Sequence, residues 1–107
     1  MAAYTLVVMT NPAPGREDEF NTWYDTQHLA DVLRLDGFTS AQRFKLGEGH
    51  EGPHKYLALY NMECDDPAAA LAGLTASANT PAMPISDAMD ANVGMALYAA
   101  ITPLVSA

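Results

Sequence analysis

The chain has 107 residues, 50% of them apolar, and a formal net charge of −8 from 13 acidic and five basic residues. This length and composition predict one folded domain over residues 1–107 and exclude a disordered chain. The basic residues are few and scattered, which excludes nucleic-acid and anionic-membrane binding, since both need clustered Lys and Arg. A single cysteine, no resemblance to a signal peptide and no apolar stretch of bilayer length predict a cytoplasmic protein.

The first half of the chain predicts a strand, a helix and a second strand. Tyr4–Met9 is a short run that is apolar on both faces, so we expect a strand covered on both sides. After a turn, residues 16–33 have the acidic start and the periodicity of a helix. Four side chains spaced by four residues share one face of that helix: Phe20, Tyr24, His28 and Val32. Asp36-Gly37 ends the helix, and residues 38–46 predict the second strand.

The second half predicts a strand, a helix, a long loop and a last strand. Residues 55–62 are again apolar on both faces, and an Asp-Pro pair begins an Ala-rich helix over residues 67–78. Residues 79–92 predict a loop with one helical turn near Ser86–Met89, and loops of this length are often functional. Residues 93–104 predict the last strand.

The element order β-α-β-β-α-β predicts an α+β, ferredoxin-like fold: a four-stranded antiparallel sheet with two helices on one face. The other face remains apolar on the first, third and fourth strands. A second copy packed sheet against sheet is the simplest cover for it, so we expect a homodimer, a dimeric α/β barrel.

Three motifs in the segment from Asn11 to Phe44 carry a family resemblance. They are P-G-R-E-D-E-F-N at the start of the first helix, W-Y-D-x-x-H-L near its end, and D-G-F before the strand that holds Arg43. They resemble the EthD-like group of the dimeric α/β-barrel superfamily, although H-L-A and D-G-F stand where members often have H-L-P and P-G-F. The resemblance implies a homodimer with a pocket in each subunit between helices and sheet. Relatives include cofactor-free cyclases and isomerases and quinol-oxidising monooxygenases, so the fold does not select a reaction.

His28 is the candidate general acid/base. An imidazole titrates near neutral pH, and its place on the stripe turns it towards the sheet. Tyr24 lies one turn before it and Asp31 about one turn after, so either could orient the ring. Several enzymes of the resembled superfamily use histidine in this way. The alternative is a core histidine satisfied by a backbone carbonyl.

Aromatic side chains are the next candidates. Trp23 and Tyr24, with Phe20 on the same helix, could form a wall for a flat hydrophobic or aromatic ligand, or they could be ordinary packing. Tyr56 and Tyr60 share one face of the third strand. If that face meets the helices, a hydroxyl such as that of Tyr60 could polarise a substrate carbonyl; otherwise both lie in the dimer interface.

Four further features complete the candidate set. Arg43 could hold a substrate carboxylate, or form a salt bridge. Asn92 could donate to an oxyanion, and Met83 belongs to a late methionine cluster suited to a lid or to gap filling. His50 and His54 with nearby glutamates are a weak metal signal, because no rigid spacing supports it.

The chain lacks the glycine-rich nucleotide and phosphate motifs, the nucleophile elbow and the C-x-x-C dithiol, so we expect no cofactor. The sequence predicts a cofactor-independent isomerase, cyclase or lyase acting next to a carbonyl of an aromatic or polyketide-like substrate, with His28, Tyr24 and Tyr60 as catalytic residues. The alternatives are a binding or accessory module with the same pocket, and a cofactor-free monooxygenase acting on a quinol.

Overall fold

A computed structural model describes residues 2–107 as a sheet covered on one face by helices. In chain order the elements are β1 (Ala2–Thr10), α1 (Glu17–Trp23), a π-helical segment (Tyr24–His28), α2 (Leu29–Leu33), β2 (Phe38–Lys45), β3 (Tyr56–Cys64), α3 (Pro67–Ser77) and β4 (Gly94–Ala99). The sheet is antiparallel throughout, in the order β2-β3-β1-β4. This order confirms the predicted ferredoxin-like α+β fold. None of the helices in this part of the chain is long and apolar enough to span a membrane.

Local signals begin and end the helices close to the predicted positions. The carboxylate of Asp66 caps α3 by accepting a hydrogen bond from the backbone N–H of Ala69 at 3.2 Å, and Pro67 follows as the first helical residue. Three acidic residues in the first turn of α1 interact favourably with the helix dipole. After α2 the chain turns at Gly37, whose φ of +94° is a conformation that favours glycine.

The first helix is continuous from α1 through α2 but is interrupted by its π-helical segment. There the N–H of Leu29 donates to the carbonyl of Tyr24, five residues back instead of four. Such π turns are rare and occur frequently at functional sites. The predicted stripe is retained, since Phe20, Tyr24 and Val32 are all buried against the sheet.

The two faces of the sheet differ in how they are covered. Alternate residues of β1 and β3 are buried under the helices: Leu6, Val8, Thr10, Tyr56, Ala58, Tyr60 and Met62. The opposite face, called the outer face below, carries a contiguous apolar set: Val7, Met9, Phe44, Leu57, Leu59 and Tyr98. Phe44 is 40% exposed and Tyr98 is 61% exposed, so the described chain leaves this face open.

Two predicted elements differ from the structure. The last strand ends at Ala99 rather than Leu104, because its ladder partner β1 has only two residues left beyond the Tyr4–Ala99 pair. Ala100 still donates to the Ala3 carbonyl at 2.9 Å, and the chain beyond it is exposed. The helical turn predicted near Ser86–Met89 is a turn without helix, in a loop that two isolated bridges hold.

Candidate active site

A cavity of about 220 Å³ lies between the first helix, the sheet and the loop over residues 79–93. Nine of its twelve lining side chains are apolar, contributed by β1, α2, α3, the loop and β4. The three lining side chains with polar atoms are Tyr24, His28 and Tyr60. An apolar cavity with a few converging polar groups is the usual form of a small-molecule site.

Tyr24 and Tyr60 form a buried pair of hydroxyl groups. The O–H of Tyr60 donates to the Tyr24 oxygen at 2.9 Å, and the two residues are 2% and 1% exposed respectively. Two hydroxyls carry two protons, and the bond between them uses one. The remaining O–H has no acceptor anywhere in residues 2–107. Burial raises the pKa of both phenols, most strongly that of Tyr60, so the pair stays protonated and keeps one unused donor.

His28 borders the same cavity as a neutral imidazole. Its ring stacks on Trp23 with centroids 4.7 Å apart and meets Tyr24 edge-on at 4.9 Å. Burial lowers the pKa of His28 to about 4; the Asp31 carboxylate opposes this shift and the Arg43 charge adds to it. The expectation of titration near neutral pH is therefore wrong, since desolvation disfavours the charged form.

No hydrogen bond from the predicted neighbours Tyr24 and Asp31 sets the orientation of His28. Its Nδ1 is buried and has no hydrogen-bond partner, so neither Tyr24, Asp31 nor a backbone carbonyl satisfies it. Asp31 instead pairs with Arg34 on the next turn, and its second carboxylate oxygen is buried without a partner. Stacking between aromatic rings is what holds the imidazole in place.

Arg43 lies behind the aromatic wall and does not line the cavity. Its Nη1 lies 2.7 Å from an oxygen of Asp25, and its Nη2 donates to Asn21 Oδ1 at 2.9 Å. The guanidinium carbon lies 4.3 Å from the ring centroid of Tyr24. Arg43 thus forms a salt bridge, which was the alternative prediction from the sequence. Its guanidinium is not free to bind a substrate carboxylate.

Of the other residues predicted to contact a ligand, only some line the cavity. Phe20 is fully buried behind the cavity, and Asn92 is exposed outside it. Trp23 also lies outside the lining, and its Nε1 donates to the Pro84 carbonyl at 3.2 Å, which ties the loop to the first helix. Met83 does line the cavity and is 1% exposed. Tyr56 and Tyr60 both face the helices, so the interface alternative for them is excluded.

Residues that the sequence interpretation missed come from α3 and the loop. Leu74 and Ala78 line the cavity, but α3 is so rich in alanine that it has no polar face from which its buried side could be recognised. Ile85 and Val93 line it from a segment without periodicity. The spacing of Asn21 and Asp25 by four on the first helix was the available signal for the pair that holds Arg43.

Arg16 fastens the loop near the start of α1. Its Nη2 lies 2.7 Å from an oxygen of Asp87, and its Nη1 donates to the Asp87 carbonyl at 3.2 Å. Backbone bonds from Ala13 to Ala88 and from Asp90 to Asn11 run alongside. The loop that roofs the cavity is therefore anchored at several points.

The weak metal signal gains no geometric support. Nowhere in residues 2–107 do three His, Cys, Asp or Glu side chains come close enough together to hold an ion. His50 and His54 thus do not assemble with Glu48 and Glu51 into a ligand set.

Comparison with known proteins finds similarity of structure only. No protein-family model and no curated protein sequence matches the chain. The heme-degrader MhuD of Mycobacterium tuberculosis, solved with two hemes bound in its active site, has 15% identity and a TM-score of 0.65, covering 95% of this chain and 99% of that one. A candidate monooxygenase from Shewanella loihica PV-4 has 17% identity and a TM-score of 0.61, covering 95% and 97%.

A mutant of MhuD with two manganese protoporphyrin IX molecules bound per active site is also similar. It has 14% identity and a TM-score of 0.66, covering 96% of this chain and 99% of that one. At these identities the similarity establishes the shared ferredoxin-like fold and nothing about activity.

Proposed function

We propose that this protein is a cofactor-independent enzyme that removes a proton next to a carbonyl, or from a phenol, of a small neutral aromatic compound. The observation that carries the proposal is the unused O–H of the Tyr24–Tyr60 pair beside the neutral imidazole of His28 in an otherwise apolar cavity. A donor and a base that converge on one cavity are the two groups that enolisation requires.

The size and charge of the cavity define the ligand class. An engineered apolar cavity of about 150 Å³ binds benzene, so a cavity of about 220 Å³ suits one ring with substituents or two small fused rings. No Lys, Arg, Asp or Glu side chain lines it, which favours a neutral ligand. A carbonyl or hydroxyl oxygen of that ligand would accept the hydrogen bond that the tyrosine pair leaves unused.

The proposed proton transfer uses the two polar elements in turn. The neutral imidazole of His28 takes the proton, and the tyrosine O–H stabilises the negative charge that develops on the substrate oxygen. A base with a pKa of about 4 is weak, but an adjacent substrate anion raises the pKa of the imidazole as the proton moves. Isomerisation, cyclisation, elimination and aldol cleavage all begin with such a step.

Heme does not fit this cavity, although two of the similar structures hold a porphyrin. A porphyrin has four pyrrole rings and two propionates, whereas a cavity of about 220 Å³ suits one or two rings. The lining also lacks any cationic side chain that could pair with a propionate. A tetrapyrrole substrate is therefore not part of this proposal.

Cofactor-free oxygenation of a quinol is the second candidate. A phenolate formed by His28 in an apolar cavity would meet dioxygen, which partitions into apolar surroundings, and one of the similar structures is a candidate monooxygenase. Oxygen uptake with a hydroquinone separates this reaction from isomerisation. A binding module is the remaining alternative, and it would give affinity without any product.

We also propose that the chain is one domain that pairs through its outer face with a second copy in the manner of the EthD-like group, in the cytoplasm. The open apolar set on that face supports the pairing, since exposed contiguous apolar surface marks an interface. Leu59→Lys places a charge at the centre of the face. We expect a wild-type mass of two chains in sedimentation and one chain for this variant; a monomeric wild type would contradict the pairing.

The test of the activity is exchange of α-protons in D2O, followed by NMR for a panel of aryl ketones and aryl 1,3-diketones. We expect exchange catalysed by the wild type, reduced at least about 10²-fold in His28→Gln, because general base catalysis contributes about 10²- to 10⁴-fold. Tyr24→Phe should be slower by about tenfold, the equivalent of one hydrogen bond of about 1.4 kcal/mol, because it removes the O–H that the bond from Tyr60 leaves unused. Tyr98→Phe, on the outer face, is the matched control and should match the wild type.

Three outcomes distinguish the candidates. Equal exchange by His28→Gln and the wild type would remove His28 from the reaction. Thermal stabilisation by the same ketones without exchange would identify a binding module. Oxygen consumption with hydroquinones in place of exchange would favour the monooxygenase.

A further inference from the structure

Arg43 is a cation enclosed by aromatic rings. Its guanidinium carbon lies 4.3 Å from the centroid of Tyr24, 5.1 Å from that of Tyr56 and 5.3 Å from that of Phe20. Its side chain is only 12% exposed. Cation–π contacts of this kind stabilise a desolvated charge, so the guanidinium stays next to the rings that form the back of the cavity wall.

The charge of Arg43 is only partly cancelled inside the protein. Its anionic partner Asp25 is 59% exposed, so water screens the carboxylate more effectively than it screens the guanidinium. The other residue that holds it, Asn21, is neutral. A mostly buried positive charge with a solvated counter-ion therefore acts on the phenols of Tyr24 and Tyr60. At His28, by contrast, the buried Asp31 carboxylate has a larger effect than Arg43.

The other basic side chains are more exposed than Arg43 and do not line the cavity. Arg16, Arg34 and Lys55 are 37%, 65% and 44% exposed; Arg16 and Lys55 pair with acidic side chains that solvent reaches, and Arg34 pairs with the buried Asp31. Lys45 is exposed near the end of β2. Within residues 2–107, Arg43 is therefore the cation best placed to act on the cavity.

We infer that Arg43 is an electrostatic positioning residue that acts through the ring of Tyr24 and stabilises the anionic form of a phenol or enol bound in the cavity. This inference rests on the proposed function and specifies what its site prefers: a ligand that becomes an anion when its proton is lost. Arg43 does not touch the ligand, because the Tyr24 ring stands between them. Consistent with this role, its charge acts to lower the pKa of the Tyr24 and Tyr60 phenols, against the larger effect of burial.

The test measures the pKa of a bound ligand rather than turnover. 4-Nitrophenol is the probe, because its phenol and phenolate forms absorb at different wavelengths, and its spectrum is titrated at saturating protein. We expect the pKa of the bound probe to be about one unit higher in Arg43→Met than in the wild type, since a nearby opposite charge lowers a pKa by about one to three units. Lys45→Met removes one positive charge from an exposed position on the same strand, and should leave the probe pKa at its wild-type value.

A variant that should shift the pKa of the bound probe in the opposite direction strengthens the test. Asp25→Asn removes the counter-ion of Arg43, so it should lower the pKa of the bound probe below the wild-type value. Arg43→Lys keeps the charge and should stay closer to the wild type than Arg43→Met does. Asp25→Asn and Arg43→Lys decide the question even if Arg43→Met fails to fold.

The results separate this inference from the proposed function. If the probe binds with the same pKa in the wild type, Arg43→Met and Asp25→Asn, Arg43 is only a structural support and the inference is overturned, while the cavity remains a binding site. If Arg43→Met does not fold, an unchanged pKa in Asp25→Asn overturns it equally. If 4-nitrophenol and the aryl ketones all fail to bind the wild type, the proposed function fails and this inference fails with it.

Discussion

Replacing His28 by glutamine removes a single titrating group whose environment the structure defines. The ordinary pKa of a histidine is about 6.5, and burial lowers that of His28 to about 4. Between these two values the unfolded chain binds a proton that the folded chain does not. The free energy of unfolding therefore loses this contribution as the pH falls from about 6.5 towards 4, and keeps it fully above 6.5.

The magnitude follows from the size of the shift. A difference of about 2.5 pKa units at about 1.4 kcal/mol per unit gives about 3.5 kcal/mol, an upper bound because solvent reaches part of the ring. Urea denaturation at one protein concentration measures the free energy of unfolding of wild type and His28→Gln at several pH values from 7.5 down to 4. The difference in free energy of unfolding between the two proteins removes the effect of carboxylates that titrate in both. Between pH 7.5 and pH 4 we expect this difference to shift by up to about 3 kcal/mol in favour of His28→Gln.

His50→Gln is the control for this experiment, because His50 is an exposed histidine in the loop between β2 and β3. Its substitution should change the free energy of unfolding little, because the side chain is exposed. A difference between wild type and His28→Gln that does not vary with pH would refute the reasoning. So would an NMR titration of the His28 ring with a midpoint near 6.5.

Three further substitutions test the packing around the site by urea denaturation. Tyr60→Phe should lower the free energy of unfolding by about 1 kcal/mol through the lost hydroxyl bond, and Tyr98→Phe by much less; equal losses would contradict the buried pair. Met83→Ala should lower it by about 2–5 kcal/mol and enlarge the cavity, so that two-ring ketones bind better relative to one-ring ketones; an unchanged preference would place the ligand elsewhere. Gly37→Ala should cost about 1–3 kcal/mol, because φ is +94° and the added Cβ would lie 3.2 Å from Cβ of Ala70; a neutral effect would contradict that turn geometry.

The fold could be predicted because its signals are local. Apolar runs at β1 and β3, the Asp66 cap and the glycine turn at Gly37 each act over a few residues, and together they give the element order. The length of β4 could not be predicted, because it depends on where its neighbour β1 begins. An apolar tail with Ile101 and Leu104 has the composition of a strand but no partner strand beside it.

The site was only partly predictable, for a different reason. The helix periodicity brings Tyr24 and His28 to the sheet, and alternation along β3 brings Tyr60 to the same place. Which groups contact each other depends on distances across elements, and a sequence contains no such distances. Burial lowers the pKa of His28 below the expected neutral range. Asn21 and Asp25, one helix turn apart, bind Arg43 and leave it unavailable to a ligand. Both effects depend on residues that come together only in three dimensions.

The π turn between Tyr24 and His28 amounts to one residue more than a regular α-helix needs at this point. If the same residues formed an uninterrupted α-helix instead, everything that follows would be rotated by about 100°, the angle per residue at 3.6 residues per turn. Val32 would leave the interior and Asp31 would change its direction. A regular helix of the same sequence would thus dismantle the cavity, so the extra residue in the π turn is what keeps Tyr24 and Val32 on one buried face.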